Sequence, residues 1–174
     1  MSRLVTILAI AASAGARPLA PEDLVEIRLL GHVPAGRPDD VQRDHEQAVA
    51  LFLDPDVRRW LDQHVRRPQA LIAVGDSMEP EINSGDVVIF DPDARAMSGS
   101  VVVALAWGEP TVKKLIRQDR QAILRSTGPG RYPDIVLTNA ENAVVQGVVV
   151  MVVPPLKPRF LIPVRISKQG DDDF

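Results

Sequence analysis

The chain has 174 residues, enough for one domain with a substantial hydrophobic core. Its 20 basic and 23 acidic residues give a net charge of −3, which excludes the basic patch that a large nucleic-acid footprint requires. It contains no cysteine, which excludes disulfides and thiolate metal sites, and the scattered histidines His32, His45 and His64 lack ligand spacing, so we expect no metal.

The first 20 residues combine one positive charge with a short apolar run. Arg3 precedes the apolar residues 4–12, and Ala12-Ser13-Ala14 follows, which is the outline of a secretory signal. The alternative, which we favour, is an N-terminal strand or helix packed on the domain. No apolar run reaches the length that a bilayer crossing needs, so we expect a cytoplasmic protein without a membrane anchor.

An extended segment and a proline- and glycine-rich stretch come next. Pro18 and Pro21 break any helix, and residues 24–30 are typical of an extended segment. The following sequence, Gly31-His32-Val33-Pro34-Ala35-Gly36, contains small residues that offer little steric resistance, and Gly36 allows unusual backbone angles. Composition alone predicts an ordinary loop here.

Residues 37–69 have the pattern of a helical connecting segment. Asp54 is typical of a helix N-cap, and Pro55 suits the first helical position. Apolar and aromatic side chains then recur at spacings of three and four: Val57, Trp60, Leu61, His64 and Val65. We interpret His64 as a half-buried packing residue. A less regular helix is predicted to precede this one, over about residues 40–52.

From residue 70 the pattern changes to short strands separated by turns. Runs rich in β-branched residues cover 71–74, 87–90, 101–107, 111–116, 122–125, 135–137 and 144–153. Glycine, proline, asparagine and aspartate punctuate them. This pattern predicts a mainly β, compact and partly closed domain over residues 70–155, with the helical segment inserted before it. Residues 156–174 form a polar, acidic tail.

One serine and two lysines within this β-rich region suggest covalent chemistry. Ser77 lies between turn-forming residues, and a serine becomes a nucleophile only when a base takes its proton. A lysine in an apolar setting can be that base, because desolvation disfavours the ammonium form. Lys113 and Lys114 both lie in an apolar strand, where neighbours point to opposite faces. Periodicity alone does not choose between them.

Three motifs together resemble the LexA/UmuD family of self-cleaving Ser–Lys peptidases. They are Gly75-Asp76-Ser77-Met78, the Gly85-Asp86 pair that begins seven residues beyond Met78, and Thr111-Val112-Lys113-Lys114-Leu115. The similarity is closest to the UmuD branch over residues 85–115 and looser over 144–153. It implies a mostly β catalytic domain, Ser77 as nucleophile and Lys113 as general base, with backbone N–H groups of Asp76 and Ser77 stabilising the oxyanion. No cofactor is required.

The resemblance extends to residues 30–36, which are similar to the cleavage segment of LexA, where an Ala-Gly bond is cut. It implies cleavage between Ala35 and Gly36 at the end of an N-terminal arm, residues 1–36. A second Ala-Gly bond, Ala14-Gly15, lacks similar flanks.

LexA-type repressors carry a winged-helix DNA-binding domain before this segment, whereas 35 residues precede the bond here, so we expect a UmuD-like role in DNA-damage tolerance without sequence-specific DNA binding. The family further implies a homodimer, stimulation by a RecA–single-stranded-DNA filament, and a translesion polymerase as a partner.

Two other functions remain open. Ser77-Met78-Glu79-Pro80 also fits the Ser-Met-x-Pro motif of signal-peptidase-like Ser–Lys hydrolases, which act on other chains. The chain is alternatively a truncated repressor, or a binding module that has lost self-cleavage.

Overall fold

A single β-sheet dominates the protein. The computed structural model describes residues 5–9, 24–30, 48–118, 121–138 and 142–155, and within these ranges ten strands form one sheet accompanied by one helix. The strands are β1 (Val5–Ala9), β2 (Leu24–Leu29), β3 (Ala48–Phe52), β4 (Gln69–Ile72), β5 (Val87–Asp91), β6 (Val101–Ala106), β7 (Glu109–Gln118), β8 (Gln121–Arg125), β9 (Ile135–Val136) and β10 (Ala143–Val153). Their order across the sheet is β1-β3-β2-β4-β5-β10-β6-β7-β8-β9. The helix, α1, spans Pro55–His64.

The prediction of a mainly β domain with a helix inserted before the serine is confirmed. Each run predicted as a strand from residue 70 onward forms one, with bounds that differ by a few residues at most. β1 pairs in parallel with β3, so residues 5–9 form a strand of the sheet, one of the two forms expected of an N-terminal element packed on the domain. No helix in the described ranges has the length and apolar character needed to cross a membrane.

The hairpin of β6 and β7 fixes the register of the strand that carries the lysines. Its two connecting residues, Trp107 and Gly108, have φ values of 50° and 85°. Two-residue turns with both central φ angles positive match the right-handed twist of the flanking strands. With Ala106 thus paired to Glu109, the ladder places Lys113 opposite Val102.

Helix α1 begins as predicted, but its buried face is narrower than predicted. The Asp56 N–H donates to the Asp54 side chain at 2.9 Å, and Pro55 occupies the first turn. Leu61 and Val65 are buried in the core. His64 was predicted to be half-buried and is exposed; its ring stacks on that of Trp60, with centroids 4.9 Å apart. Spacings of three and four cover a wider stripe than one helix buries against a sheet, so the outer residues of the stripe reach solvent.

The helix predicted over residues 40–52 is wrong in its last part. Ala48–Phe52 is strand β3, paired with β1 on one side and β2 on the other. Val49, Ala50 and Leu51 are all buried. A short continuous apolar run has no period that separates an internal strand from a buried helix, which is why the prediction failed. Residues 31–47 lie outside the described ranges.

Strands β2 and β3 share a core with the sheet that follows them. One cluster joins side chains of β2, β3, α1, β4, β5 and β10: Ile27, Val49, Leu51, Leu53, Leu61, Val65, Ala70, Val87, Ile89 and Val153. A second cluster includes Met78 and Ile82 from the segment that carries Ser77. Its buried members are Leu71, Ala73, Met78, Ile82, Val88, Phe90, Val103 and Val112. The sheet therefore continues across the boundaries proposed after residues 36 and 69.

Candidate active site

Ser77 lies in the connection between β4 and β5, which we call the serine turn (residues 73–86). Two backbone hydrogen bonds of 2.8 Å each close its base, from Ala73 N to Asp86 O and from Gly85 N to Ala73 O. Gly75, with a φ of 90°, lets the chain bend just before the serine. A well-closed base of this kind holds the serine in place relative to the sheet.

Two buried side chains and one carboxylate hold the serine turn from inside. Met78 and Ile82 are 3% exposed each and belong to the second core cluster. The buried Asp86 accepts a hydrogen bond of 2.7 Å from the Asn83 N–H. The residue directly after Ser77 is thus fixed in the core, while Ser77 itself keeps partial access to solvent.

Lys113 of β7 contacts Ser77, although β10 and β6 lie between β5 and β7 in the order of the sheet. Its Nζ lies 2.7 Å from the Ser77 Oγ, and the residue is 8% exposed. Burial lowers the pKa of the Lys113 amine below its ordinary value of 10.5, because the ammonium form loses hydration. Among the described residues no carboxylate forms an ion pair with it. The amine is therefore placed to accept the serine proton.

A third segment, residues 126–132, holds the serine turn from outside. The N–H groups of Thr127 and Gly128 both donate to the Ser77 carbonyl oxygen, at 3.0 and 2.9 Å. A side chain on Gly128 would place its Cβ 2.0 Å from the Asp76 carbonyl oxygen, so only glycine fits there. The Tyr132 hydroxyl donates to the Asp76 carboxylate. The sequence marked this segment only as a glycine- and proline-rich turn, and nothing in its pattern indicated these contacts.

The backbone next to Ser77 presents unpaired donors. In the part of the chain that the structure describes, the N–H groups of Asp76, Ser77 and Met78 have no intramolecular acceptor. Such donors can stabilise an oxyanion that forms beside the serine. Across the same ranges, no group of three or more His, Asp or Glu side chains is arranged to hold a metal ion.

An apolar cleft of about 100 Å³ opens next to Ser77. Its lining comes from β4, the serine turn and the start of β7: Leu71, Ile72, Ala73, Val74, Gly75, Ser77, Met78, Ile82, Pro110, Thr111 and Val112. Ile72 and Val74 are 41% and 81% exposed. Exposed apolar side chains beside a strand suit an extended peptide that lies along it.

The predicted site residues divide into two groups. Ser77, Lys113 and Asp76 lie together in the structure. Ala35 and Gly36 lie outside the described residues. The nearest described residue before them is Leu30, whose N–H donates to the Ala70 carbonyl oxygen of β4 at 2.7 Å. The chain therefore leaves β2 directly beside the strand that leads to Ser77.

Comparison with known proteins finds a family model and several relatives that match most of the chain. A family model described as Peptidase S24-like matches residues 28–150. LexA repressor 2 of Pseudomonas putida is 37% identical over 136 residues, which cover 76% of this chain and 62% of the relative. LexA repressor 1 of Xanthomonas campestris pv. campestris is 32% identical over 128 residues, 71% of this chain and 59% of the relative. The LexA repressor of Carboxydothermus hydrogenoformans is 31% identical over 133 residues, 75% of this chain and 61% of the relative. The chain thus spans about three fifths of the length of these relatives.

Proposed function

This chain belongs to the Peptidase S24-like family of LexA/UmuD-type Ser–Lys peptidases, and on that premise we propose that it is a serine endopeptidase that cleaves its own Ala35–Gly36 bond. The observation that carries the proposal is the 2.7 Å contact between the buried Lys113 amine and the Ser77 hydroxyl. A serine paired with a neutral amine needs no metal and no third residue to become a nucleophile.

The reaction proceeds in two stages. Lys113 takes the proton of Ser77 as the serine oxygen attacks the carbonyl carbon of Ala35, and the oxyanion binds the N–H groups of Asp76 and Ser77. The C–N bond then breaks, and Lys113 returns the proton to the Gly36 nitrogen, leaving Ala35 as an ester on Ser77. A water molecule, deprotonated by Lys113, hydrolyses the ester and restores the serine.

The direction of β2 supports delivery of this bond to its own active site. β2 runs parallel to β4, with Arg28 opposite Gln69 and Leu29 opposite Ala70. The cleft beside the serine turn, with its exposed apolar side chains, would receive the residues before the bond.

We further propose the setting that the family resemblance implies. The chain would act in a DNA-damage response as a homodimer, its cleavage would be stimulated by a RecA–single-stranded-DNA filament, and a translesion polymerase would be its partner. The relatives named LexA repressor support the damage-response setting in general terms. The direct check is the self-cleavage rate with and without such a filament.

The central experiment measures self-cleavage of the purified chain on gels, over roughly pH 6 to 11 to bracket the pKa of a free lysine. The base works only when neutral, so the first-order rate should rise with pH and level off at the lowered pKa of Lys113, below 10.5. Lys113→Ala should abolish cleavage. Lys114→Ala, the matched control one position along the same strand, should retain most of it.

Two results would contradict the proposal. One is cleavage that persists in Lys113→Ala and is lost in Lys114→Ala. This result would show that Lys114, and not Lys113, is the general base. The other is an intact chain at every pH that nevertheless cuts an added peptide, which would indicate a hydrolase acting on other chains.

A further inference from the structure

Asp76 places a negative charge next to the nucleophile. Consecutive Cα atoms are about 3.8 Å apart, so its carboxylate lies within side-chain reach of the pair formed by Ser77 and Lys113. A carboxylate close to a lysine stabilises the ammonium form and typically shifts the pKa of the amine upward by about one unit or more. A freely rotating Asp76 would therefore work against a neutral Lys113.

The structure shows the Asp76 carboxylate held elsewhere. Its Oδ1 accepts a hydrogen bond from the Tyr132 hydroxyl. That bond, together with the nearby charges of Asp76 and Glu79, raises the pKa of Tyr132, which keeps the phenol protonated and able to donate. Burial alone lowers the pKa of Lys113, with no opposing contribution from a carboxylate of the described residues.

The segment that carries Tyr132 is held on both sides of this residue. Toward the serine turn, Thr127 and Gly128 bind the Ser77 carbonyl oxygen through their N–H groups. On the other side, Arg125 at the end of β8 forms an ion pair of 2.7 Å with Asp134. Because the chain is held on both sides of Tyr132, the tyrosine hydroxyl stays within reach of the Asp76 carboxylate.

We propose that Tyr132 is a positioning residue that keeps the Asp76 carboxylate turned away from the Lys113 amine, so that the general base remains unpaired. The inference rests on the proposed function of Lys113 and adds a residue to it. Tyr132 does not touch the reacting atoms; it acts through Asp76.

The other charged groups of the neighbouring elements do not account for the pKa of Lys113. The serine turn carries four acidic residues, Asp76, Glu79, Glu81 and Asp86. The Asp86 carboxylate accepts the Asn83 N–H, and the charge of Glu79 acts on Tyr132. Burial is the cause of the lowered pKa of Lys113, with no contribution from these carboxylates. Strand β6, which pairs with β7 at this point, contains no charged residue between Val101 and Ala106. On the far side, β8 places Arg125 opposite Lys114. Arg131, next to Tyr132, adds a positive charge that would not stabilise an ammonium.

The test compares Tyr132→Phe with the double variant Tyr132→Phe/Asp76→Asn. The first keeps the ring and removes the hydrogen bond, and the second also removes the charge of the released carboxylate. In the self-cleaving protein, Tyr132→Phe should move the midpoint of the pH–rate curve upward by about one unit. At pH values below both midpoints, this shift corresponds to a rate about tenfold lower, with the high-pH plateau retained. The double variant should return to the wild-type midpoint.

A second measurement does not depend on cleavage. In a Ser77→Ala background, the Lys113 amine is titrated by NMR with labelled lysine, for the same two variants and their parent. The same upward shift and its reversal are expected. If the wild-type chain fails to cleave, the proposed function fails, while this titration still decides the role of Tyr132.

Three results would overturn the inference. They are an unchanged Lys113 titration in Tyr132→Phe, a shift that survives in the double variant, and a rate lowered equally at every pH with the midpoint unmoved. The last would mean that Tyr132 only supports the fold.

Discussion

Replacing Lys113 by methionine should make the protein more stable while removing its activity. The residue is 8% exposed, and burial lowers the pKa of its amine from 10.5. In the unfolded chain the amine stays protonated up to its ordinary pKa, whereas the folded protein must either bury an ammonium or release its proton. Below the folded pKa this cost is present in full, and it disappears as the pH rises through 10.5. Methionine has a similar length and no charge to bury.

The expected gain in stability follows from the pKa of the Lys113 amine. Each unit by which folding lowers it corresponds to about 1.4 kcal/mol of lost stability at pH values below the folded pKa. Because burial lowers this pKa, Lys113→Met should be more stable than its parent at neutral pH, by that amount for each unit between the unfolded and the folded pKa. Near pH 11 the two proteins should unfold with nearly equal free energies, because both then bury a neutral side chain.

The measurement is urea denaturation from about pH 7 to 11, a range that brackets the lysine pKa, in a Ser77→Ala background that prevents cleavage and removes the lysine–serine contact from both proteins. Lys114→Met, the same substitution one position along β7, is the control. The reasoning would be refuted by a destabilised Lys113→Met protein at pH 7, by a gain that does not shrink as the pH rises, or by an equal response of both variants.

The remaining predictions concern the bond, the glycine that contacts the serine turn, and DNA. Self-cleavage should create a new N-terminus at Gly36, and Gly36→Glu should block it by crowding the bond with little loss of stability; fragment sequencing that starts at Gly15 would contradict this assignment. Gly128→Ala should cost about 1–3 kcal/mol of stability and slow cleavage, because its Cβ would lie 2.0 Å from a backbone oxygen that cannot move alone, and a thermal melt equal to wild type would argue against it. With a net charge of −3, the chain should not bind duplex DNA specifically, and a gel shift with a dissociation constant near ~10⁻⁸ M would overturn that expectation.

Local sequence signals predicted most of the sheet because they describe local physics. The runs behind β5, β6 and β10 are rich in valine and are separated by turn residues, so each strand could be recognised without knowing its partner. The helix start was equally clear from Asp54 and Pro55. The prediction failed at β3 for the opposite reason. Its five residues are compatible with a helix or a strand, and their position between β1 and β2 determines that they form a strand.

The site was predictable only in part. Motifs predicted Ser77 as the nucleophile and Lys113 as the base, but the contact between them spans 36 positions and depends on the register of β7. The segment around Thr127, Gly128 and Tyr132 was not predicted at all, because backbone donors and a tyrosine hydroxyl leave no recognisable spacing. Long-range hydrogen bonds of this kind are specified by how strands pair, and a single sequence does not display that pairing.

The absence of a charged partner for Lys113 among the described residues explains how two residues can suffice for the proposed chemistry. A histidine base works near its ordinary pKa, and a nearby carboxylate can orient the ring. A lysine base must first lose its proton, and a nearby carboxylate would favour the charged ammonium form. Activation of Ser77 therefore depends on keeping Lys113 covered and unpaired. β6 pairs beside Lys113 without a charge, the hairpin at Trp107 and Gly108 sets the register of β7, and the Tyr132 hydroxyl binds the Asp76 carboxylate next to Ser77.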